Sequence, residues 1–549
     1  MTGEEKRYSL LTEPWIACIG SQAEPCLVSI RDIFAGSAAV RAVQGESAAQ
    51  DYAVLRLLLA IFWRAHQRDV TVAAGDVFDM GEWFNQQVDV VDAGRADDVV
   101  LRYLDEYADR FDLLHPKTPF MQVADLQTQK RSYSEIRRIV PEAEADYFTM
   151  RTGRGRESLS LPEAARWLVY TQAYDYSGIK SGAVGDPRVK GGRGYPIGTG
   201  WSGMTGGTVI VGGDLRRTLL LNTTDSALLN PEDRPVWERD ADTAEERRNP
   251  YPAGPSDLAT WQSRRIRLHV DGDRAHGVLV SNGDKIPDAG ANVFGDPTTP
   301  YRYSKNKSKR DRTVHYPKYY DANRTMWRSL EPLIVLGGDP GIPGETAPRR
   351  PETLDQLTKL DEKGCDVPGL VDLQLVSIEY GPQASSVASE VTSRLGIPAR
   401  LLSPEAGLAR RVLLDTATAT SQAAGSLGSF AGQLLVAAGG EYAFQPDPTD
   451  RLLTALEPRF ADWLRELEVS DMEQHVTRWQ RAVRDAVVED ARTLLRGAGP
   501  KALAGREVDR NDDGRGRISS AGTAYRWLLR KLDEALPLTR TEQPQEVGN

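Results

Sequence analysis

The sequence predicts an α+β protein: a mixed α/β N-terminal domain over residues 1–400 followed by a C-terminal four-helix bundle over residues 401–549. Three observations carry that expectation. Short alternating apolar stretches and glycine-rich turns crowd the first part of the chain. After Leu401 the texture changes to long segments with apolar residues at helical spacing. The chain has 549 residues, against ~100–200 for a usual domain, so two or three cores are expected.

In chain order, YSLLTEPWIACI and PCLVSIRDIF read as short strands separated by the turn-like GSQAE. Gln50–His66 predicts a helix, with Ala53, Leu57, Ala60 and Ile61 on one face and Leu58 and Leu59 widening it. Asp76–Gln87 and Asp97–Asp109 predict further helices. HPKTPFMQ (115–122) holds two prolines and reads as an extended loop. Gln127–Arg156 is polar and basic and reads as a flexible, positively charged loop. Leu161–Tyr174 returns to helical spacing, with Pro162 in its first turn. Ser177–Gly213 is too rich in glycine for a long helix, so it predicts loops around short strands such as Thr208–Val211. Ile266–Ser281 and Leu373–Tyr380 read as strands. Four helical stretches then follow: Pro404–Ala438, with a candidate break at Gly425, then Thr449–Leu467, Asp471–Arg496 and Ala521–Leu536. Ser403 is a suitable cap for the first. An antiparallel bundle is the simplest way to bury four such stripes.

Apolar residues make up 40% and charged residues 27%, the balance of a globular chain. No apolar run reaches the ~18 residues that span a bilayer, and Arg56 interrupts the longest one. MTGEEKRYSL has no apolar signal core, so a cytoplasmic location without membrane contact is expected. Three cysteines (Cys18, Cys26, Cys365) and six scattered histidines give no disulfide framework and no metal-ligand spacing, so no metal is expected. DRNDDG at 509–514 resembles the start of a calcium loop, but Ser520 stands where the bidentate Glu belongs.

The net charge of −10 argues against nucleic acid globally, yet binding follows local potential. Arg302–Arg324 concentrates eight Lys and Arg, including Lys305, Lys307, Lys309, Arg310 and Arg312, and with Tyr301 just before it the run holds five tyrosines. Such a run can neutralise phosphates and stack on bases, or be a solvated loop with structural tyrosines.

Gly198-Thr199-Gly200-Trp201-Ser202-Gly203 matches GxGxxG literally. A dinucleotide loop needs an apolar strand before it and a helix after it. Here KGGRGYPI precedes and GGTVIV follows. What remains is a tight glycine connection, or backbone that approaches a ligand closely because Cβ atoms are missing.

Several segments in shared order resemble one family. LLTEPWI (10–16), VSIRDIF, QDYAVLRLLLAIFWRA, HPKTPFMQ, GWSGMTGGT with GGDLRRTLLLN, and the helical C-terminus are similar to the large subunit of the type I-E CRISPR complex Cascade, the CasA family. The resemblance implies a non-catalytic subunit without cofactor, working with other Cascade subunits, guide RNA, double-stranded target DNA and a recruited helicase–nuclease. It implies recognition of the PAM, the short motif beside the target, and the start of duplex opening. A glycine loop along the PAM minor groove would fall on Gly198, Thr199 and Gly200. A lysine finger would be Lys285, eight residues before VFGDP (293–297), and a wedge would be Gln383 in EYGPQAS. The loop 127–156 would dock near guide RNA or neighbouring subunits through Phe148, with Arg151, Arg154 and Arg156 as charge partners. Two other readings remain open: a nucleotide-dependent enzyme using GTGWSG, and a purely architectural subunit.

Overall fold

The structure is a computed structural model that describes residues 6–72, 78–144, 149–321, 330–510 and 516–540. It divides into two compact units, Met1–Ala322 with Gly344–Arg394, and Asn323–Pro343 with Leu395–Asn549. The first mixes helices with small antiparallel sheets, and the second is mainly helical, which is the α+β class that the sequence predicts.

The first unit is organised around the helix Ala48–Val72. Its side chains are buried almost all round, including Tyr52, Leu57, Leu58, Ile61 and Trp63. This explains why the sequence shows a broad apolar face rather than a stripe. Arg56 does not interrupt the apolar run by reaching solvent. It is buried and paired with the buried Asp296.

A three-stranded antiparallel sheet (Pro25–Val28, Ile16–Gly20, Val40–Val43) packs beside this helix. A second sheet centres on Arg274–Asn282, which pairs with Arg264–Asp271, Ser134–Glu135 and Leu159–Ser160. A third holds Gly207–Ile210, Leu370–Tyr380 and Val387–Pro398. The basic run forms a hairpin, Tyr301–Tyr303 against His315–Pro317.

Several element bounds differ from the sequence reading for local reasons. The helix expected over Asp76–Gln87 is Met80–Asp92, because Asp79 accepts from the Gly81 and Glu82 N–H groups and so starts it. The 127–156 segment is not a bare loop: it contains Ser134–Glu135 and the short helices Ile136–Ile139, Pro141–Glu144 and Arg154–Glu157. The DRNDDG stretch falls partly outside the described residues, between the strands Arg506–Arg510 and Gly516–Ser519.

In the second unit Gly407–Ala437 packs against Pro446–Arg465, Met472–Gly497 and Ala521–Ala535. Ser403 and Pro404 open a separate turn, Pro404–Ala406, and the long helix starts at Gly407. It continues through Gly425, where an added Cβ would meet open space. Gly428 and Gly432 are the glycines with a packing reason, since a Cβ there would lie 2.5 Å from the Gln445 and Ala443 carbonyls. Phe460, Trp463 and Trp479 form an aromatic core, with Trp479 Nε1 donating to Thr420 Oγ1 at 2.9 Å.

Asp51, near the start of the central helix, accepts from the Gly45 N–H, yet burial pushes its carboxyl up to about 7. A raised acid favours the folded state below its ordinary value of 3.8, and that contribution fades as pH climbs to about 7. Asp51→Asn is therefore expected to match wild type at pH 4. At pH 8 it should be more stable by on the order of 2 kcal/mol, as read by urea unfolding at both pH values.

Candidate nucleic-acid interface

The glycine segment is clamped at both ends by buried ionic groups. At its start, Arg264 donates from Nη2 to the Gly198 carbonyl at 2.8 Å. At its end, the buried Trp201 indole donates to Asp296 Oδ2, the carboxylate that also holds Arg56. Between them Gly200 presses on the helix Leu161–Tyr174, where an added Cβ would lie 2.3 Å from the Ala173 carbonyl oxygen. Thr199 is buried, with Gly203 closing on its side chain. Gly198 is different: it has φ +105° and open space where a Cβ would be. The two glycines that the motif pairs thus do different things. Gly200 permits packing, and Gly198 permits a backbone conformation at the surface.

The same geometry removes the dinucleotide reading. Trp201–Met204 is a short turn leading into the strand Gly207–Ile210, with no helix after the glycines. Trp201 packs with Leu258, Trp261, Ile286 and Val293 in a buried apolar cluster.

Arg264 belongs to a buried cluster. Asp175 receives Arg264, Arg138 and Lys180, the last two at 2.8 Å. Burial alone would lift the Asp175 carboxyl, but these three cations outweigh it and hold it below the usual range. Lys180 is pushed down to about 7 by burial, with Asp175 opposing. Neighbouring Ser177 donates its N–H to the Ala384 carbonyl at 2.7 Å. That bond ties the tip of the Leu370–Tyr380/Val387–Pro398 hairpin to the cluster. Gln383 sits on this tip, exposed, with φ +57°. Tyr380, on the strand leading into it, donates to the Tyr174 carbonyl and lies where a Cβ on Gly203 would be.

Arg265, the next residue, grips Asp284 at 2.7 Å. Arg247 holds the other oxygen of that carboxylate, and Trp261 Nε1 donates to the Asp284 carbonyl. Lys285 follows directly. Its N–H donates to Glu246 while its side chain is exposed, without an ion pair to a described residue. Ile286 enters the same core as Trp201. One short stretch, Ser263–Arg265, therefore connects Gly198, the Gln383 tip and the Lys285 turn.

The remaining candidates scatter. Arg151 contacts Glu46, Glu142 and Glu163, so it anchors its own loop. Arg154 is exposed, Arg156 is half-buried, and Phe148 lies outside the described residues. Lys305, Lys307, Lys309, Arg310 and Arg312 all lie between the strands of their hairpin, on its solvent side. Of the tyrosines in that run, Tyr301 and Tyr320 are core residues, Tyr316 lies under Arg302, and Tyr319 is exposed. Among the described residues no group of metal-ligating side chains gathers, and no helix is long and apolar enough to cross a membrane. The sequence reading missed Arg264, Asp175, Asp284 and Asp296. The available signal was RRIRLHV, where two consecutive arginines open an otherwise alternating strand.

The fold sets backbone turns and single exposed side chains, Lys285 and Gln383 among them, on a buried ionic frame. The chain belongs to the Cse1 family of CRISPR-associated proteins, whose model matches residues 9–489. It is 34% identical to the crystallised Cse1 of Thermobifida fusca, covering 98% of this chain and 100% of that one with a TM-score of 0.84. It is 28% identical over 290 residues to CasA/Cse1 of Thermus thermophilus, 49% of this chain and 51% of the relative, so that match spans about half the relative's length. The same fold occurs in a chain of a solved CRISPR RNA-guided surveillance complex, at 20% identity and a TM-score of 0.64 over 89% of this chain and 99% of that one.

Gly200→Ala is expected to destabilise the protein by about 3 kcal/mol, because helix carbonyls cannot move aside. Gly198→Ala should cost about 1–2 kcal/mol, from backbone strain alone. Urea midpoints of the two variants check the order. Equal losses would mean that the two glycines do not differ in role.

Proposed function

We propose that this chain is the large subunit of a type I-E Cascade complex, reading the PAM of double-stranded target DNA and starting its opening. The observation that carries the reading is that Gly198 and the Lys285 turn are tied to Ser263–Arg265 directly, and the Gln383 tip through Ser177 and the Asp175 cluster. The minor groove is only ~6 Å wide. A surface glycine without Cβ can enter it, and a lysine on a rigid turn can reach base edges there. Thr199 and Gly200 act from beneath, holding Gly198 in place. Gln383 then serves as the wedge. Unstacking a base step costs a few kcal/mol, so a wedge must not yield. The tip held through Ser177 and Ala384 supplies that stiffness.

In this reading residues 1–400 carry the nucleic-acid elements and residues 401–549 form the bundle. The subunit is non-catalytic. Guide RNA reads the rest of the target, and the assembled complex recruits a separate helicase–nuclease. Lys305, Lys307, Lys309, Arg310 and Arg312 supply sequence-independent attraction to phosphates. Arg154 and Arg156 face guide RNA or a neighbouring subunit, with Phe148 as the apolar anchor, while Arg151 braces the loop from inside.

Lys285→Ala and Gln383→Ala are each expected to weaken capture of PAM-bearing duplex by about tenfold. Assembly with the other subunits and guide RNA should be unchanged. Gel-shift titration of assembled complexes measures both. Wild-type capture by both variants, with capture that ignores PAM sequence, would leave an architectural subunit.

A further inference from the structure

A cavity of about 470 Å³ opens between the HPKTPFMQ loop and the outer edge of the strand Arg264–Asp271. Its walls carry Lys6, Arg267, His115, His269 and Tyr133, and among the described residues no Asp or Glu lines it. That is unusual in a chain with 78 acidic against 68 basic residues. Asp271 and Asp273 are close in sequence but are not among the lining residues.

Two features show that the cavity is built rather than incidental. The first is a ring platform. Tyr133 and His269 stack with centroids 4.7 Å apart at 26°, and both are exposed. Gly277 lies opposite His269 in the hairpin, and a Cβ there would sit 2.9 Å from Tyr133 Cβ. The missing Cβ is what lets the tyrosine close over the strand. The second is the fixed orientation of His115. Its Nδ1 accepts from the Thr118 N–H at 2.9 Å and from the Lys117 N–H at 3.3 Å. In the neutral ring the proton is therefore on Nε2, which makes that nitrogen a donor. Gln122 ties the floor, donating to the Leu113 carbonyl and accepting from the Leu268 N–H.

We infer that this cavity binds an unpaired nucleotide of a single-stranded nucleic acid, with the base on the Tyr133–His269 platform and its phosphate among Lys6, Arg267 and His115. Stacking accepts any base, because every base has a π-face, and the cationic rim tracks the backbone. A duplex would keep its bases from the platform. An acidic peptide would satisfy the cations but leave the rings without a partner. The site shares no residue with Gly198, Lys285 and Gln383 or with the basic run, and it adds a further nucleic-acid contact to the proposed function.

The test uses the full chain alone, so it stands apart from duplex capture by the assembled complex. Fluorescence anisotropy with labelled oligouridylate and with oligothymidylate of equal length gives single-strand affinity. The Tyr133→Ala/His269→Ala variant is expected to bind about tenfold more weakly, whereas Tyr133→Phe retains wild-type binding. Arg267→Gln should lower the salt dependence. An oligonucleotide bearing 5-iodouridine should crosslink under ultraviolet light to Tyr133 or His269. A preference for the uridylate would assign RNA as the ligand, and equal binding would assign single strands of either kind. Wild-type affinity of the double ring variant, adducts only elsewhere, or equal competition by oligoglutamate would each overturn the inference.

Discussion

The buried guanidinium of Arg264 is the group on which the candidate interface depends. It pairs with Asp175, donates to the Gly198 carbonyl, and is almost fully enclosed. Burying a charge costs several kcal/mol unless partners replace water, and removing one partner of such a pair costs about 3–5 kcal/mol. The arrangement is therefore close to all-or-none: with Asp175 and the carbonyls in place Arg264 is satisfied, and without them it is a large penalty. Arg56 and Asp296 repeat the device at the other end of the glycine segment, through Trp201. Two ion pairs fix the ends of a segment that glycine would otherwise leave free.

That rigidity bears on the proposed function. A glycine-rich loop that is mobile before binding must lose conformational entropy on contact, about 1–2 kcal/mol for each residue ordered. Here the ordering is done during folding. The protein presents the Gly198 backbone, the Lys285 ammonium and the Gln383 amide on turns whose main chains are already bonded down. Lys285 shows the division clearly. Asp284 before it and Ile286 after it are buried, while the lysine itself is exposed.

Local periodicity and punctuation carried most of the fold into the sequence. The central helix, Leu161–Tyr174, the Arg264–Asn282 hairpin and the four C-terminal helices were legible because their apolar spacing follows their geometry. Helix starts were less so: Asp79 and Gly407 take over from Asp76 and Pro404 for reasons of capping and turn geometry. Of the candidate site, Lys285 and Gln383 stand exposed on turns of the kind their sequence context suggests, but the wiring beneath them was not legible. Asp175 and Arg264 are 89 residues apart, and Arg56 and Asp296 are 240 apart. No spacing rule connects partners that meet only after folding. Arg56 even argued the wrong way, since a charge inside an apolar run looks like an interruption until its buried carboxylate is known. Gly198 and Gly200 look alike in sequence because the difference between them lies in what surrounds the missing Cβ.

The same wiring resolves the tension between a net charge of −10 and a surface suited to polyanions. Many carboxylates are turned inward onto arginines: Asp175, Asp284 and Asp296 each hold at least one, and Glu46 holds Arg151 and Arg166. Such pairs are electrically quiet at a distance. The five cations of the 305–312 hairpin, by contrast, face solvent and carry no ion pair to a described residue. The described walls of the Lys6–Arg267–His115 cavity likewise hold no acidic group. Screening limits each charge to about 8–10 Å at ordinary salt, so a polyanion approaching either patch meets the local sign and not the chain's total. Folding has sorted the charges by depth, and net charge, which ignores depth, does not report the sign of either patch.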